Sequence, residues 1–103
     1  MAKKNYDDVN FAKEKDLQKK VNEYLDSLAP MVSHRHIADR FNVGISDNIG
    51  CCKGQFFAIE LKILGNEMTH HQIEYAAEVI GSGGKFACCY TLGQVKNFIK
   101  KLI

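Results

Sequence analysis

The chain has 103 residues, 46% of them apolar and 25% charged, with a formal net charge of +2. That length supports one domain over residues 1–103 with a modest core and no cross-links, and the charge alone does not mark a nucleic-acid binder. No apolar run approaches membrane-spanning length, and the amino terminus, Met1 to Asp8, lacks the apolar core of a signal segment, so a cytoplasmic protein without a membrane partner is expected.

Residues 1–9 are polar and are expected to form a flexible, frayed or extended start. From about Asn10 to Leu28, Leu17, Val21, Tyr24, Leu25 and Leu28 recur at helical spacing. Ala29-Pro30 ends that helix, because the residue before a proline avoids the helical region. Glu14 lies three residues before Leu17 and so shares the core-facing stripe, where a carboxylate needs a partner; a first-turn glutamate is also favoured by the helix dipole. Met31 to Val43 reads as a strand with an irregular entry, in which His34, Arg35, His36 and Arg40 alternate with Ile37, Ala38 and Phe41. These basic residues form either a phosphate-gripping lip or an ordinary polar strand face. The lysines cluster as Lys3, Lys4, Lys13, Lys15, Lys19 and Lys20 at one end and Lys96, Lys100 and Lys101 at the other, which suits solvated helix faces as well as a phosphate partner.

Ile45–Cys52 and Gln55–Leu64 are predicted to pair as a hairpin closed by Lys53-Gly54. Glu60 and Lys62, two residues apart on the second strand, share one face, while Ile59, Leu61 and Ile63 take the other. Asp47 stands at the start of the first strand. Two carboxylates and an ammonium on adjacent strands are costly to bury alone, and a divalent cation bridging the carboxylates offsets that cost. Thr69-His70-His71-Gln72 has the form of a capping box, so a helix begins there, with Ile73, Ala76, Ala77 and Ile80 as its core stripe. Gly81-Ser82-Gly83-Gly84 stops it; a phosphate-cradling loop would follow a strand rather than a helix. Lys85–Tyr90 is a short strand, and Thr91 to Gln94 caps a last helix carrying Val95, Phe98, Ile99 and Leu102. His70 and His71 diverge by roughly 100° on a helix and do not suggest a shared metal.

Four cysteines fall in two doublets, Cys51-Cys52 and Cys88-Cys89. Neighbours on a strand face opposite ways, which suits small apolar filler in a reduced protein better than a disulfide or a metal hook. The resulting order is αβββαβα. A strand-helix-strand crossover between about Gln55 and Tyr90 makes those strands parallel in a mixed sheet flanked by helices.

Asp47 followed by Glu60-Leu61-Lys62 resembles the core motif of the PD-(D/E)XK nuclease superfamily. The continuation Gly65-Asn66-Glu67-Met68-Thr69-His70-His71-Gln72 resembles its VRR-NUC branch, in which a helical Gln follows. The resemblance covers residues 12–103, with Ser46 standing where the family usually has proline. It implies a restriction-endonuclease-like fold and phosphodiester hydrolysis with Mg²⁺ or Mn²⁺. By it, Asp47, Glu60 and the Leu61 backbone carbonyl hold the metal. Lys62 orients the attacking water or stabilises the transition state, Gln72 positions Lys62 or the phosphate, and Glu14 ligates a second metal or tethers the lysine. His34, Arg35, Arg40 and Lys53 are the candidate DNA contacts. Small stand-alone members, of phage or bacterial type, resemble homodimeric nucleases acting on branched DNA such as four-way (Holliday) junctions, which for a phage protein means the host cytoplasm. Two readings remain beside it: a binding module of the same fold without catalysis, and a thiol or metal protein built on the cysteine doublets.

Overall fold

Leu17, Val21 and Leu25, all fully buried on one stripe, set the first helix against a sheet whose central strand is hidden on both faces. The computed structural model describes residues 5–37 and 44–103. Its elements are α1 (Glu14–Ser27), β1 (Val32–His36), β2 (Asn48–Cys52), β3 (Gln55–Leu61), α2 (His70–Gly81), β4 (Lys85–Cys89) and α3 (Leu92–Lys100), the expected order αβββαβα. The sheet runs β1-β2-β3-β4, with the first two pairings antiparallel and β3–β4 parallel, from Phe57↔Lys85 to Leu61↔Cys89. Lys53 and Gly54, both at positive φ, close the β2–β3 hairpin, as a two-residue turn matching strand twist requires.

Alternation along β3 assigns the layers. Phe57 meets Phe98 of α3 edge-on at 6.4 Å, on the face that α1 also covers, while Glu60 points the other way and is hydrogen-bonded to Gln72 of α2. The main core lies on the α1–α3 face, around Leu17, Val21, Leu25, Phe57, Ile59, Leu61, Val95 and Ile99. Among the described residues no helix is long and apolar enough to cross a membrane.

The elements differ from expectation at identifiable places. The helix α1 starts at Glu14 rather than Asn10, since Lys13 is extended and the acidic Glu14 and Asp16 suit the positive end of the dipole. Residues 1–4 of the expected flexible start lie outside the described residues, but 5–9 are tied down. Gly93 N–H donates to the Asp7 carbonyl at 2.8 Å, Lys96 Nζ pairs with Asp7 Oδ1 at 2.7 Å, and the Tyr6 and Phe11 rings stack. The apolar stripe of α2 is also corrected. Ala76 and Val79 are buried, whereas Ile73 and Ile80 are 51% and 60% exposed. The helix face carrying 72, 76 and 79 is the one turned to the sheet, which leaves 73 and 80 outside and lets Gln72 reach Glu60.

Gly50, in the middle of β2, shows how closely β1 and β3 approach. A Cβ there would stand 2.2 Å from the Ser33 carbonyl oxygen and 2.8 Å from Cζ of Phe57. Gly50→Ala is therefore expected to cost about 2 kcal/mol through overpacking and to lower Tm by roughly 10 °C. Thermal unfolding followed by circular dichroism checks this; an unchanged Tm would mean that β1 gives way.

Candidate active site

The β2–β3 hairpin ends where two carboxylates meet. Asp47 immediately precedes β2, and because β2 and β3 are antiparallel it arrives beside the last residues of β3. Its Oδ2 accepts a hydrogen bond from Leu61 N–H at 2.6 Å, and its own carbonyl accepts from Ile37 N–H at 2.7 Å. The approach to it is tight as well. Gly44, at φ +90°, passes so close to the start of α2 that a Cβ would lie 2.5 Å from the His71 carbonyl. Ser46, immediately before Asp47, is buried.

Glu60 lies one residue before the end of β3 and is 2% exposed. Its Oε1 accepts a hydrogen bond from Gln72 Nε2 at 2.6 Å and stands 3.8 Å from Lys62 Nζ. Its Oε2 is buried with no hydrogen-bond partner. Burial pushes the Glu60 carboxyl up to about 8, the Asp47 charge adds to this, and the Lys62 ammonium opposes it. Asp47 is raised too, by burial, against the lowering effect of the Leu61 N–H. Glu14, at the first turn of α1, is raised by burial and then by the charge of Asp47, and Lys62 pulls it down. Three carboxylates from α1, the β2 entry and β3 thus feel one another and one lysine.

Gln72 has two tasks at once. Its Oε1 accepts from Thr69 N–H at 2.8 Å while Thr69 Oγ1 accepts from Gln72 N–H at 3.2 Å, a complete capping box. The amide nitrogen left over is the one that donates to Glu60. The helix start and the carboxylate are held by the same side chain.

The DNA-contact candidates scatter. The His34 ring is 10% exposed, with Nε2 on Asp26 Oδ1 at 2.7 Å and Nδ1 facing Asn48 Nδ2 at 3.4 Å. Arg35 is exposed on the opposite face of β1, its Nη1 donating to the His34 carbonyl. Lys53 occupies the hairpin turn, five strand residues from Asp47 and so roughly 15–20 Å from the carboxylates. Arg40 lies outside the described residues. His70 and His71 both reach Glu74, at 2.7 and 3.8 Å, because i+4 and i+3 lie on one side of a helix.

Two neighbours of the site were not assigned to it from the sequence. Cys88 pairs with Glu60 across β3–β4 and shares its face, and its thiol is raised by burial and by the Glu60 charge. A groove of about 570 Å³ runs from Asp47 and Glu14 along α1, past Lys15, Gln18, Lys19 and Asn22. The signal for it in the sequence is an amide, Gln18, standing inside the apolar stripe beside Leu17. The four cysteines are free thiols, Cys51 exposed and Cys52 and Cys89 buried.

Among the described residues no group of three His, Cys, Asp or Glu side chains is arranged to hold a metal ion. What is present is a carboxylate pair, one oxygen of which has no partner. That set fits a hard cation of the Mg²⁺ type, which binds through one or two carboxylates and keeps several of its waters. Asp47 and Glu60 are the residues that would hold it.

No protein-family model and no curated protein matches the sequence. A solved structure described as a VRR_NUC domain superposes with a TM-score of 0.72, covering 87% of this chain and 97% of that chain at 18% identity. The chain therefore has the fold of that VRR_NUC domain, a mixed four-stranded sheet flanked by helices.

Proposed function

We propose that this VRR-NUC fold carries a working nuclease that hydrolyses phosphodiester bonds in DNA with Mg²⁺ or Mn²⁺. The observation that carries the reading is the buried Glu60 Oε2, without a hydrogen-bond donor, beside the half-buried Asp47, with Lys62 only 12% exposed at the edge of the pair. Burial raises both carboxyls, and with Glu60 at about 8 the pair keeps a proton near neutral pH, shared through a hydrogen bond between the two side chains; a divalent cation would take that proton's place. A bound divalent cation would supply charge neutralisation at the scissile phosphate and acidify an attacking water. Glu60 and Asp47 fix where that charge sits, and the Leu61 N–H aims the Asp47 carboxylate. The Leu61 backbone carbonyl is proposed as a further ligand. Lys62, tethered to Glu60, holds a positive charge toward the phosphate in a poorly hydrated site, where it acts on negative charge developing in the transition state. Gln72 keeps Glu60 from turning away, and Glu14 contributes a third carboxylate or restrains Lys62. Arg35 and Arg40 are proposed to contact the DNA backbone.

The proposed substrate is branched DNA, of which a four-way junction is the type case, and the proposed active species is a homodimer. One 103-residue domain covers little duplex, and a twofold pair would present two sites at a fixed separation to a substrate of matching symmetry. Incubation with supercoiled plasmid, linear duplex and a four-way junction should give cutting with Mg²⁺ or Mn²⁺, none with EDTA, and preference for the junction. Light scattering after size exclusion should give twice the monomer mass. Cleavage that survives EDTA would remove the metal; a monomer cutting both substrates equally would remove the dimer and the branch preference.

A further inference from the structure

Among the described residues, Gln18, Ser46, Asn48 and Glu60 are the buried polar or charged side chains. Glu60 is explained by the site, but Gln18 and Asn48 lie on the α1 side of the sheet. Gln18 Nε2 donates to Asn48 Oδ1 at 2.6 Å and to Asn22 Oδ1 at 2.8 Å. Asn48 Nδ2 donates to Asn22 Oδ1 at 3.1 Å and faces His34 Nδ1 at 3.4 Å. His34 Nε2 then meets Asp26 Oδ1 at 2.7 Å. Glu14, Gln18, Asn22 and Asp26 are spaced by four, so they form one polar row along α1, and three of its members are tied into β1 and β2. The fourth, Glu14, stands at the end of the row beside Asp47, and both line one groove.

Stability does not account for this pair. An interior amide–amide contact contributes little net stability, and replacing both partners by apolar groups of the same shape is close to neutral. Direction is what it adds. Leu17, Val21 and Leu25 tolerate small axial shifts of α1, because apolar contact has no preferred angle. A 2.6 Å hydrogen bond from Gln18 to Asn48 does not. Asn48 directly follows Asp47, and Gln18 lies one turn after Glu14. We propose that Gln18 and Asn48 are positioning residues that hold the Glu14 carboxylate in register with Asp47 across the α1–β2 boundary. This rests on the nuclease reading above, in which Glu14 stands beside the Asp47–Glu60 pair that would hold the cation and adds its charge to theirs.

The test is a double-mutant cycle. Gln18→Met keeps the shape and removes the donor, and it is made alone and with Glu14→Gln. Plasmid cleavage with Mn²⁺ and the Mn²⁺-dependent rise in Tm are both read. Gln18→Met is expected to lower kcat about tenfold and weaken the Mn²⁺ midpoint about tenfold, with KM for DNA unchanged, the range found when a group supporting a metal ligand is removed. In the Glu14→Gln background it should do neither. The pair Gln18→Met/Asn48→Leu, which leaves no amide orphaned between these two, should recover metal-free Tm without recovering kcat, and it serves if the single variant folds poorly. Losses that simply add to those of Glu14→Gln, or an unchanged kcat in Gln18→Met, would overturn the proposal. A wild-type protein that neither cuts nor responds to Mn²⁺ would overturn the nuclease reading and this proposal with it.

Discussion

Glu60→Gln is expected to abolish metal-dependent cleavage, by about 10³-fold or more, and to leave a protein that folds at least as well as the wild type. The rate follows from what is removed. Metal charge stabilisation at a phosphate is worth several kcal/mol, and each 1.36 kcal/mol is tenfold. A neutral amide is a poor ligand for a hard cation. The stability follows from the raised carboxyl. Glu60 sits at about 8 in the folded chain against 4.5 as its ordinary value. Between those values the folded state keeps a proton that the unfolded state has released, so metal-free stability falls as pH rises from about 4.5 toward 8. The loss is on the order of a few kcal/mol. Glu60→Gln removes this contribution and flattens the slope, though a remainder persists because Asp47 and Glu14 are shifted in the same direction. Urea unfolding at pH 5 and pH 8 without metal, paired with plasmid cleavage at pH 8, measures both. Near-native turnover in the variant would remove Glu60 from the site; equal slopes would show that its carboxyl is not strained.

Lys62→Ala is expected to lower kcat by about 10²–10³-fold with DNA affinity nearly unchanged, the scale of losing one preorganised group aimed at developing charge. The ammonium is 12% exposed and 3.8 Å from Glu60 Oε1, so it is held by the site rather than offered to the solvent as a backbone grip. In the proposed role its interaction would strengthen as charge builds on the phosphate, which would place the loss in the rate constant. A second effect has a sign of its own. Lys62 lowers Glu60, so removing it pushes the Glu60 carboxyl further up and extends the fall of metal-free stability to higher pH. Single-turnover cleavage and equilibrium DNA binding in EDTA separate the possibilities. A variant that binds DNA poorly but cuts normally at saturating protein would make Lys62 a phosphate grip.

Period and punctuation in the sequence determine much of this protein. Alternation alone puts Glu60 and Lys62 on one face of β3, and an antiparallel hairpin turned at Lys53-Gly54 returns Asp47 to the same end of the sheet. The Thr69–Gln72 capping box starts α2, and the crossover makes β3 and β4 parallel. These are local or topological facts, legible because they depend on spacing along the chain.

What the tertiary structure decided are matters of orientation and distance. Spacing predicts an apolar stripe on α2 through Ile73 and Ile80; in the fold Ala76 and Val79 face the sheet instead, with Gln72 on the same side bonded to Glu60. Gln72 both caps α2 and reaches the site, because a side-chain amide has two ends and uses both. Lys53 reads as a basic residue of the same hairpin, and five strand residues carry it to the far end from the carboxylates. Gln18 and Asn48 are thirty positions apart, so no local pattern joins them. Only the packing of α1 on β2 brings them within 2.6 Å, because helix-to-sheet register is set by contacts between side chains that the linear order does not relate.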